Sequence, residues 1–139
     1  MSGPDRRSLA LHWLALARGD LRAAEALRDA ESAPAREAAA LAQQAAEKAL
    51  TGALILAGLE PPRTHDLRRL QQLLTPTSQA GAIDLDELSG ALRAARYPML
   101  FEPAIDPPTA RRLVASAAEV VTAILADLEA AGLETPGPA

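Results

Sequence analysis

The sequence predicts an all-α fold, an up-down antiparallel bundle of about five helices. Apolar residues recur at steps of three and four over most of the 139-residue chain, as they do in helices that bury one face. Almost no segment alternates apolar and polar residues with the period of two expected of a strand. Residues that favour strands are also scarce, with one Tyr, one Phe and one Trp beside abundant alanine.

The length and composition indicate one domain without a membrane span. Residues 1–134 are expected to form this domain, and the Pro- and Gly-containing residues 135–139 a disordered tail. The absence of cysteine excludes disulfides and fits a cytoplasmic location. No apolar run approaches the roughly 18 residues that a membrane helix needs. The net charge of −4 argues against indiscriminate nucleic-acid binding but leaves a local basic patch open.

Periodicity and capping residues predict three long helices and two short ones. The predicted helices cover residues 5–30, 34–57, 65–74, 85–96 and 106–131. Asp5, Thr64 and Asp84 are suited to cap the first, third and fourth helices. Gly58 is a stop signal for the second helix, and Gly132 for the fifth.

Small and apolar residues predict how these helices pack. The second helix is apolar nearly all round, which is typical of a helix buried between neighbours, and its Ala45, Ala49 and Gly52 would let another helix approach closely. Residues 75–81 are expected to form a loop, and the proline-rich residues 97–107 neither a helix nor a central strand. The residues expected in the core are Trp13, Leu21, Leu41, Leu56, Leu70, Leu92, Leu113, Val120 and Ile124.

Polar residues interrupt the apolar pattern of the second helix. Gln44 and Lys48 are one turn apart, as are Glu47 and Thr51, so the four form a stripe. Lys48, the only lysine of the chain, can meet a phosphate as a point charge, and Glu47 can accept a proton or bind a hydroxyl group. The alternative is a solvated face, or a stripe that pairs with arginines of a neighbouring helix or subunit.

Arg63, His65 and Asp66 surround the start of the third helix. Free N–H groups at a helix N-terminus favour anions, so these residues predict a small phosphate site. Alternatively, Asp66 only caps the helix while His65 packs across the preceding Pro-Pro turn.

Arg93, Arg96 and Tyr97 lie at the end of the fourth helix. The two arginines share one side of the helix, and Tyr97 can stack on a base. Alternatively, the arginines stabilise the helix dipole and Tyr97 only packs.

A bundle that brought these groups together would form an anion or nucleotide site. The candidate ligand-binding residues are Glu47, Lys48, Arg63, His65, Asp66, Arg96 and Tyr97. No catalytic residue and no cofactor is predicted, because no phosphate-binding loop, GxSxG or dinucleotide motif is present. No metal site is predicted either, because the two histidines have no carboxylate at ligand spacing.

Four segments follow one another in a specific order and spacing. They are Trp13-x3-Ala17-x2-Asp20-Leu21-x2-Ala24, Gln43-x-Ala45-Ala46-Glu47-Lys48-Ala49-Leu50, Pro62-Arg63-Thr64-His65-Asp66-Leu67 and Ala95-Arg96-Tyr97-Pro98. Together they resemble the HEPN family of small all-helical domains. The resemblance implies a homodimer that handles nucleotides or RNA, often beside a minimal nucleotidyltransferase in a toxin–antitoxin pair.

HEPN ribonucleases resemble one another in an Arg-x(4–6)-His motif late in the domain. Here the last predicted helix contains Arg111 and Arg112 but no histidine, and the matches from Arg6 or Arg7 to His12 fall in the first helix. The sequence therefore favours a non-catalytic module that binds nucleotide or RNA and interacts with a partner. A metal-independent ribonuclease toxin and a purely structural dimerisation domain are the alternatives, so enzymatic activity stays open.

Overall fold

The computed structural model describes residues 2–97 and 104–139, which form six α-helices and one 3₁₀ turn and contain no strand. The helices are α1 (Gly3–Asp29), α2 (Ala35–Leu56), α3 (Leu67–Gln72), α4 (Asp86–Ser89), α5 (Ala91–Arg96) and α6 (Pro107–Ala130), and the 3₁₀ turn Gln79–Ala82 lies between α3 and α4. None of these helices has the length and apolar character that crossing a membrane requires. The predicted all-α class is confirmed.

Helix α2 lies at the centre of the bundle, against α1, α6 and α5. Seven of its buried residues are alanines, which allow neighbouring helices to come close. At Gly52, a Cβ atom would lie 2.9 Å from Cγ of Leu14 and 3.0 Å from the carbonyl oxygen of Ala10, both in α1. Gly52 therefore permits the close helix approach that the sequence predicted.

The core agrees only in part with the predicted list. Leu70, Leu113, Val120 and Ile124 are buried as predicted. The prediction is wrong for Trp13, Leu21, Leu41, Leu56 and Leu92, which are half-buried. In α1 the buried residues are Ala10, Leu14, Ala17 and Ala24, so the inward stripe passes through Leu14 and leaves its neighbour Trp13 at the border of the core.

The third helix begins two residues later than predicted. Asp66 is its N-cap, and its carboxylate accepts a hydrogen bond from the Arg68 N–H at 3.1 Å. Thr64, the predicted cap, instead accepts from the Asp66 N–H at 3.0 Å, before the helix starts. Thr64 and Asp66 each accept a hydrogen bond from the backbone N–H two residues later, as Thr and Asp side chains commonly do, so two such turns follow one another at the start of α3.

The predicted fourth helix is in fact two helices, α4 and α5, which meet at Gly90. The Leu92 N–H, which a continuous helix would pair with the preceding turn, donates to the side chain of Gln43 in α2. Glycine also has a low helix propensity. Asp84, the predicted cap, accepts from the Asp86 N–H at 3.0 Å but precedes the N-cap position.

The last helix begins and ends as predicted. Asp106 caps α6 by accepting from the Thr109 N–H at 2.8 Å, and hydrogen bonds from the Thr109 side chain and backbone lower the pKa of its carboxyl group. Gly132, with a φ of +77°, follows the end of α6. Within the proline-rich segment that was predicted to be non-helical, residues 98–103 lie outside the described part of the chain.

The final residues of the chain lie beside α1. The Ala139 N–H donates to the Ala15 carbonyl at 2.8 Å. Gly19 leaves room for this contact, since a Cβ atom there would overlap with the carbonyl oxygen of Ala139. The disorder predicted for residues 135–139 remains a prediction.

Candidate functional site

A wide groove of about 1370 Å³ is open to solvent beside helices α3, α4 and α5. One side, called the α3 side, consists of His65, Asp66, Arg68, Arg69 and Gln72. The other, called the α5 side, consists of Asp86, Ser89, Gly90, Leu92, Arg93, Arg96 and Tyr97, and α2 contributes Gln43 and Gln44. Four arginines against two aspartates make the groove locally basic, although the net charge of the chain is −4.

The structure brings most of the predicted ligand-binding residues together. His65, Asp66, Arg96 and Tyr97 all line this one groove. Glu47 is not a lining residue but contacts His65. The third and fourth predicted helices therefore both contribute residues to this groove, which the predicted anion site requires.

The contact between Glu47 and His65 orients the imidazole ring. Nδ1 of His65 lies 3.1 Å from Oε1 and 3.0 Å from Oε2 of Glu47. Because an ionised carboxylate can only accept hydrogen bonds, Nδ1 is the nitrogen that donates. The Glu47 side chain is 22% exposed and that of His65 is 75% exposed, so the carboxylate supports the ring from α2 while the ring faces solvent. Among residues 2–97 and 104–139, no three His, Asp or Glu side chains form a group that could hold a metal ion.

The structure places Lys48 and Arg63 outside the groove. Nζ of Lys48 forms an ion pair of 2.6 Å with Oδ2 of Asp20 in α1, and both side chains are largely shielded from solvent. This geometry agrees with the alternative that the polar stripe pairs with a neighbouring helix, although the partner is an aspartate. Arg63 is exposed and does not line the groove. Ligand binding by these two residues stays a prediction.

Two of the N–H groups at the start of α3, which the sequence predicted to be free for an anion, have partners within the protein. The Leu67 N–H donates to Oγ of Ser89 at 3.0 Å, and the Arg68 N–H donates to Asp66. The Ser89 hydroxyl in turn donates to Oδ1 of Asp66 at 3.3 Å. Because these two donors are used inside the protein, the exposed side chains of the groove supply most of the contacts that an anion could make there.

Two of the groove arginines already have carboxylate partners. Nε of Arg68 lies 3.2 Å from Asp86, across the groove, and a guanidinium nitrogen of Arg96 lies 3.4 Å from Glu37 in α2. Exposed ion pairs of this kind are worth little, at most about 1 kcal/mol each. These arginines can therefore exchange their partners for a ligand at small cost.

Arg69 of α3 and Arg93 of α5 are exposed cations that line the groove from different helices. Within the described residues, neither has a carboxylate at ion-pair distance. Arg69 was not among the ligand-binding residues predicted from the sequence. The available signal was its spacing of three residues from Gln72, which gives the short α3 one exposed polar face along the groove.

Tyr97 adds an exposed aromatic ring to this basic surface. It is the C-cap residue of α5, and 72% of it is exposed. An aromatic ring beside arginines is suited to stack on a nucleobase while the arginines bind phosphate. The described groove therefore combines the two kinds of contact that nucleotides need.

A family model for the HEPN domain matches residues 10–128. The chain therefore belongs to the HEPN family, and the resemblance found in the sequence is confirmed. Membership of this family makes the chain a nucleotide- or RNA-related module. Neither the curated proteins nor the solved structures give a significant match to the chain.

Proposed function

We propose that this chain is a non-catalytic HEPN module that binds a nucleotide or RNA in the groove between α3 and α5. The observation that supports the proposal is that Arg69 of α3, Arg93 of α5 and the exposed ring of Tyr97 all line the same groove. A basic groove in an acidic chain concentrates charge where a phosphate would bind.

The groove offers each part of a nucleotide a suitable contact. Guanidinium groups bind phosphate oxygens through paired, charge-assisted hydrogen bonds, which Arg69 and Arg93 are placed to make. The ring of Tyr97 can stack on the base. The side-chain amides of Gln44 and Gln72, which also line the groove, can donate to or accept from the edge of a base.

Calorimetric titration of the purified protein with ATP and with a short single-stranded RNA tests this proposal. Both ligands are expected to bind, with dissociation constants that rise as the salt concentration is raised, because phosphate contacts are screened. Arg22→Ala is a useful control, since Arg22 is an exposed arginine of α1 outside the groove, and it should bind both ligands as the wild type does. Undetectable binding of both ligands at millimolar concentration would reject the proposal.

The proposal includes a homodimer and a minimal nucleotidyltransferase as partner, in a cytoplasmic toxin–antitoxin-like pair. Its support is the HEPN family match together with the expectations drawn from the sequence. A small nucleotidyltransferase that is encoded beside this gene and copurifies with the chain would support the partnership.

We expect light scattering at micromolar concentration to give the mass of a homodimer. Several large apolar side chains are only half-buried in the single chain, among them Trp13 of α1 and Leu41 and Leu56 of α2, and Leu9 is 36% exposed. A second copy that covered such side chains would gain roughly 25 cal/mol for each Å² of apolar surface removed from water. A monomeric mass at this concentration would contradict the expectation.

We also expect the purified protein not to cleave RNA. The late Arg-x(4–6)-His motif is missing, and His12, the histidine of the early match, is an exposed residue of α1 that does not line the groove. The assay incubates a structured RNA with the protein and follows fragments by gel electrophoresis. Cleavage that disappeared in His12→Ala or His65→Ala would instead favour the ribonuclease alternative.

A further inference from the structure

Gln43 is the one polar side chain among the described residues that is almost fully buried, with 1% of its surface exposed. It lies in α2, beneath the groove, and both ends of its amide are hydrogen-bonded. Nε2 donates to the His65 carbonyl at 2.9 Å, and Oε1 accepts from the Leu92 N–H. The first of these backbone groups belongs to the α3 side of the groove and the second to the α5 side.

We propose that Gln43 is a positioning residue that fixes the separation of the two sides of the groove, and thereby its ability to bind a phosphate-containing ligand. The consequence for the ligand rests on the function proposed above. One planar amide holds both segments to the same helix, so neither can move without breaking a buried hydrogen bond. His65 itself and Arg93, the residue after Leu92, are the ligand-facing residues that this arrangement places.

Other contacts across the groove are weaker restraints than Gln43. The ion pair between Arg68 and Asp86 joins two side chains that are 59% and 69% exposed, so water competes with it. Ser89 also joins the two sides through Leu67 and Asp66, but it does so without a contact to α2. Gln43 alone connects both sides to the central helix through a buried group, among the hydrogen bonds of the described residues.

The interruption between α4 and α5 is explained by the same hydrogen bond. In one continuous helix the Leu92 N–H would be used within the helix, and the side chain of Gln43 would lose its donor. The break at Gly90 turns this N–H towards α2 and starts α5 at the position from which Arg93 and Arg96 line the groove.

Gln43→Met tests the inference because methionine has a similar length but neither donates to a carbonyl nor accepts well from an N–H. Gln71→Met is the matched control. Gln71 is a half-buried glutamine of α3 whose Nε2 donates to the carbonyls of Ala80 and Ile83 at 2.9 and 2.7 Å, away from the groove. The two variants each lose two hydrogen bonds to the backbone, but only Gln43→Met should change the groove.

Residue-resolved amide hydrogen exchange on the ligand-free proteins gives the first measurement. In Gln43→Met, the amide of Leu92 and those of the rest of α5 should exchange roughly tenfold faster or more, while the amides of α1 and α6 stay as in the wild type. In Gln71→Met, the amides of α5 should not change. Unchanged exchange at Leu92 in Gln43→Met would overturn the inference, whether or not the wild type binds any ligand.

Titration with ATP and short RNA gives the second measurement. Gln43→Met should bind roughly tenfold more weakly or worse than the wild type, and Gln71→Met should bind equally well. Equal affinities of Gln43→Met and the wild type would overturn the inference for ligand binding. If the wild type binds neither ligand, the proposed function fails, and hydrogen exchange still decides whether Gln43 holds the two sides together.

A second variant covers the case in which Gln43→Met does not fold. Gln43→Leu has no polar atom in its side chain, so it loses both hydrogen bonds while it still fills most of the buried space. The amide of Leu92 should exchange roughly tenfold faster or more than in the wild type, and ATP and short RNA should bind more weakly. Exchange at Leu92 and affinity equal to those of the wild type would contradict the role of the Gln43 amide.

Discussion

The double variant Arg69→Ala/Arg93→Ala is expected to lose roughly a hundredfold in affinity for ATP and for short RNA, about tenfold for each arginine. The two residues belong to different helices and both line the groove, so a phosphate bound there by both arginines loses two charged partners. Calorimetric titration gives the dissociation constants. The same titration at several salt concentrations should show a shallower salt dependence, because fewer phosphate contacts are made.

Arg22→Ala is the matched control for this experiment. Arg22 is an exposed arginine of α1 that does not line the groove. It changes the net charge of the chain by the same amount as each single groove variant, and we expect it to bind as the wild type does. If Arg22→Ala lost as much affinity as Arg69→Ala, binding would reflect overall charge and the groove would not be the site.

Gly52→Val is expected to lower the free energy of unfolding by about 3 kcal/mol, and the Tm by roughly 10 °C. A Cβ atom at this position would lie 2.9 Å from Cγ of Leu14 and 3.0 Å from the carbonyl oxygen of Ala10. The second atom belongs to the backbone of α1 and cannot move aside by a rotamer change, so the two helices must separate. Thermal and urea unfolding followed by circular dichroism measure the loss.

Gly3→Val makes the same substitution at another glycine in an α-helix. No atom lies within 4 Å of a Cβ built at Gly3, so this variant should change stability by no more than about 0.5 kcal/mol. A similar loss in both variants would show that the close contact between α1 and α2 at Gly52 is not the cause.

The long helices were predictable because their signals are local. The predicted boundaries of residues 5–30 and 34–57 differ by no more than two residues from those of α1 and α2, and Asp106 and Gly132 mark the ends of α6 as expected. Periodicity fixes such elements without knowledge of their neighbours. Trp13 and Leu21 were nevertheless predicted to be buried in α1, whereas the large buried residue of that helix is Leu14. Trp13 and Leu14 are both large and apolar, and only the packing of α1 against its neighbours selects between them.

The split of the predicted fourth helix could not be derived from its own residues. The decisive donor, the Leu92 N–H, is bound by Gln43, which lies 49 positions earlier in the chain. Helix propensity depends on neighbouring residues, so it cannot reveal a hydrogen bond to a side chain that lies so far away in the sequence. The position of α3 was closer to prediction. The helix begins two residues later than predicted, with Asp66 and not Thr64 as its cap, and it ends two residues earlier.

Some residues of the candidate site could be predicted from the sequence, and others could not. His65, Asp66, Arg96 and Tyr97 were selected from two separate helix ends, and the fold places them in one groove. Lys48 was selected because it is the only lysine of the chain. That property does not predict which residue it contacts in the fold, and the residue it contacts is Asp20.

The seven buried alanines of α2 have a consequence for how this sequence can vary. In a core filled by leucine and phenylalanine, most damaging substitutions remove atoms and leave cavities. At the alanine positions of α2 there is little side chain to remove, so substitutions that add atoms are the damaging ones. Variation at these positions should therefore be confined to Ala, Gly and Ser, and a larger residue should be tolerated only when a facing residue of α1 or α6 becomes smaller. A deep mutational scan that ranks each position by the volume change it accepts would show this asymmetry as a signature of the central helix.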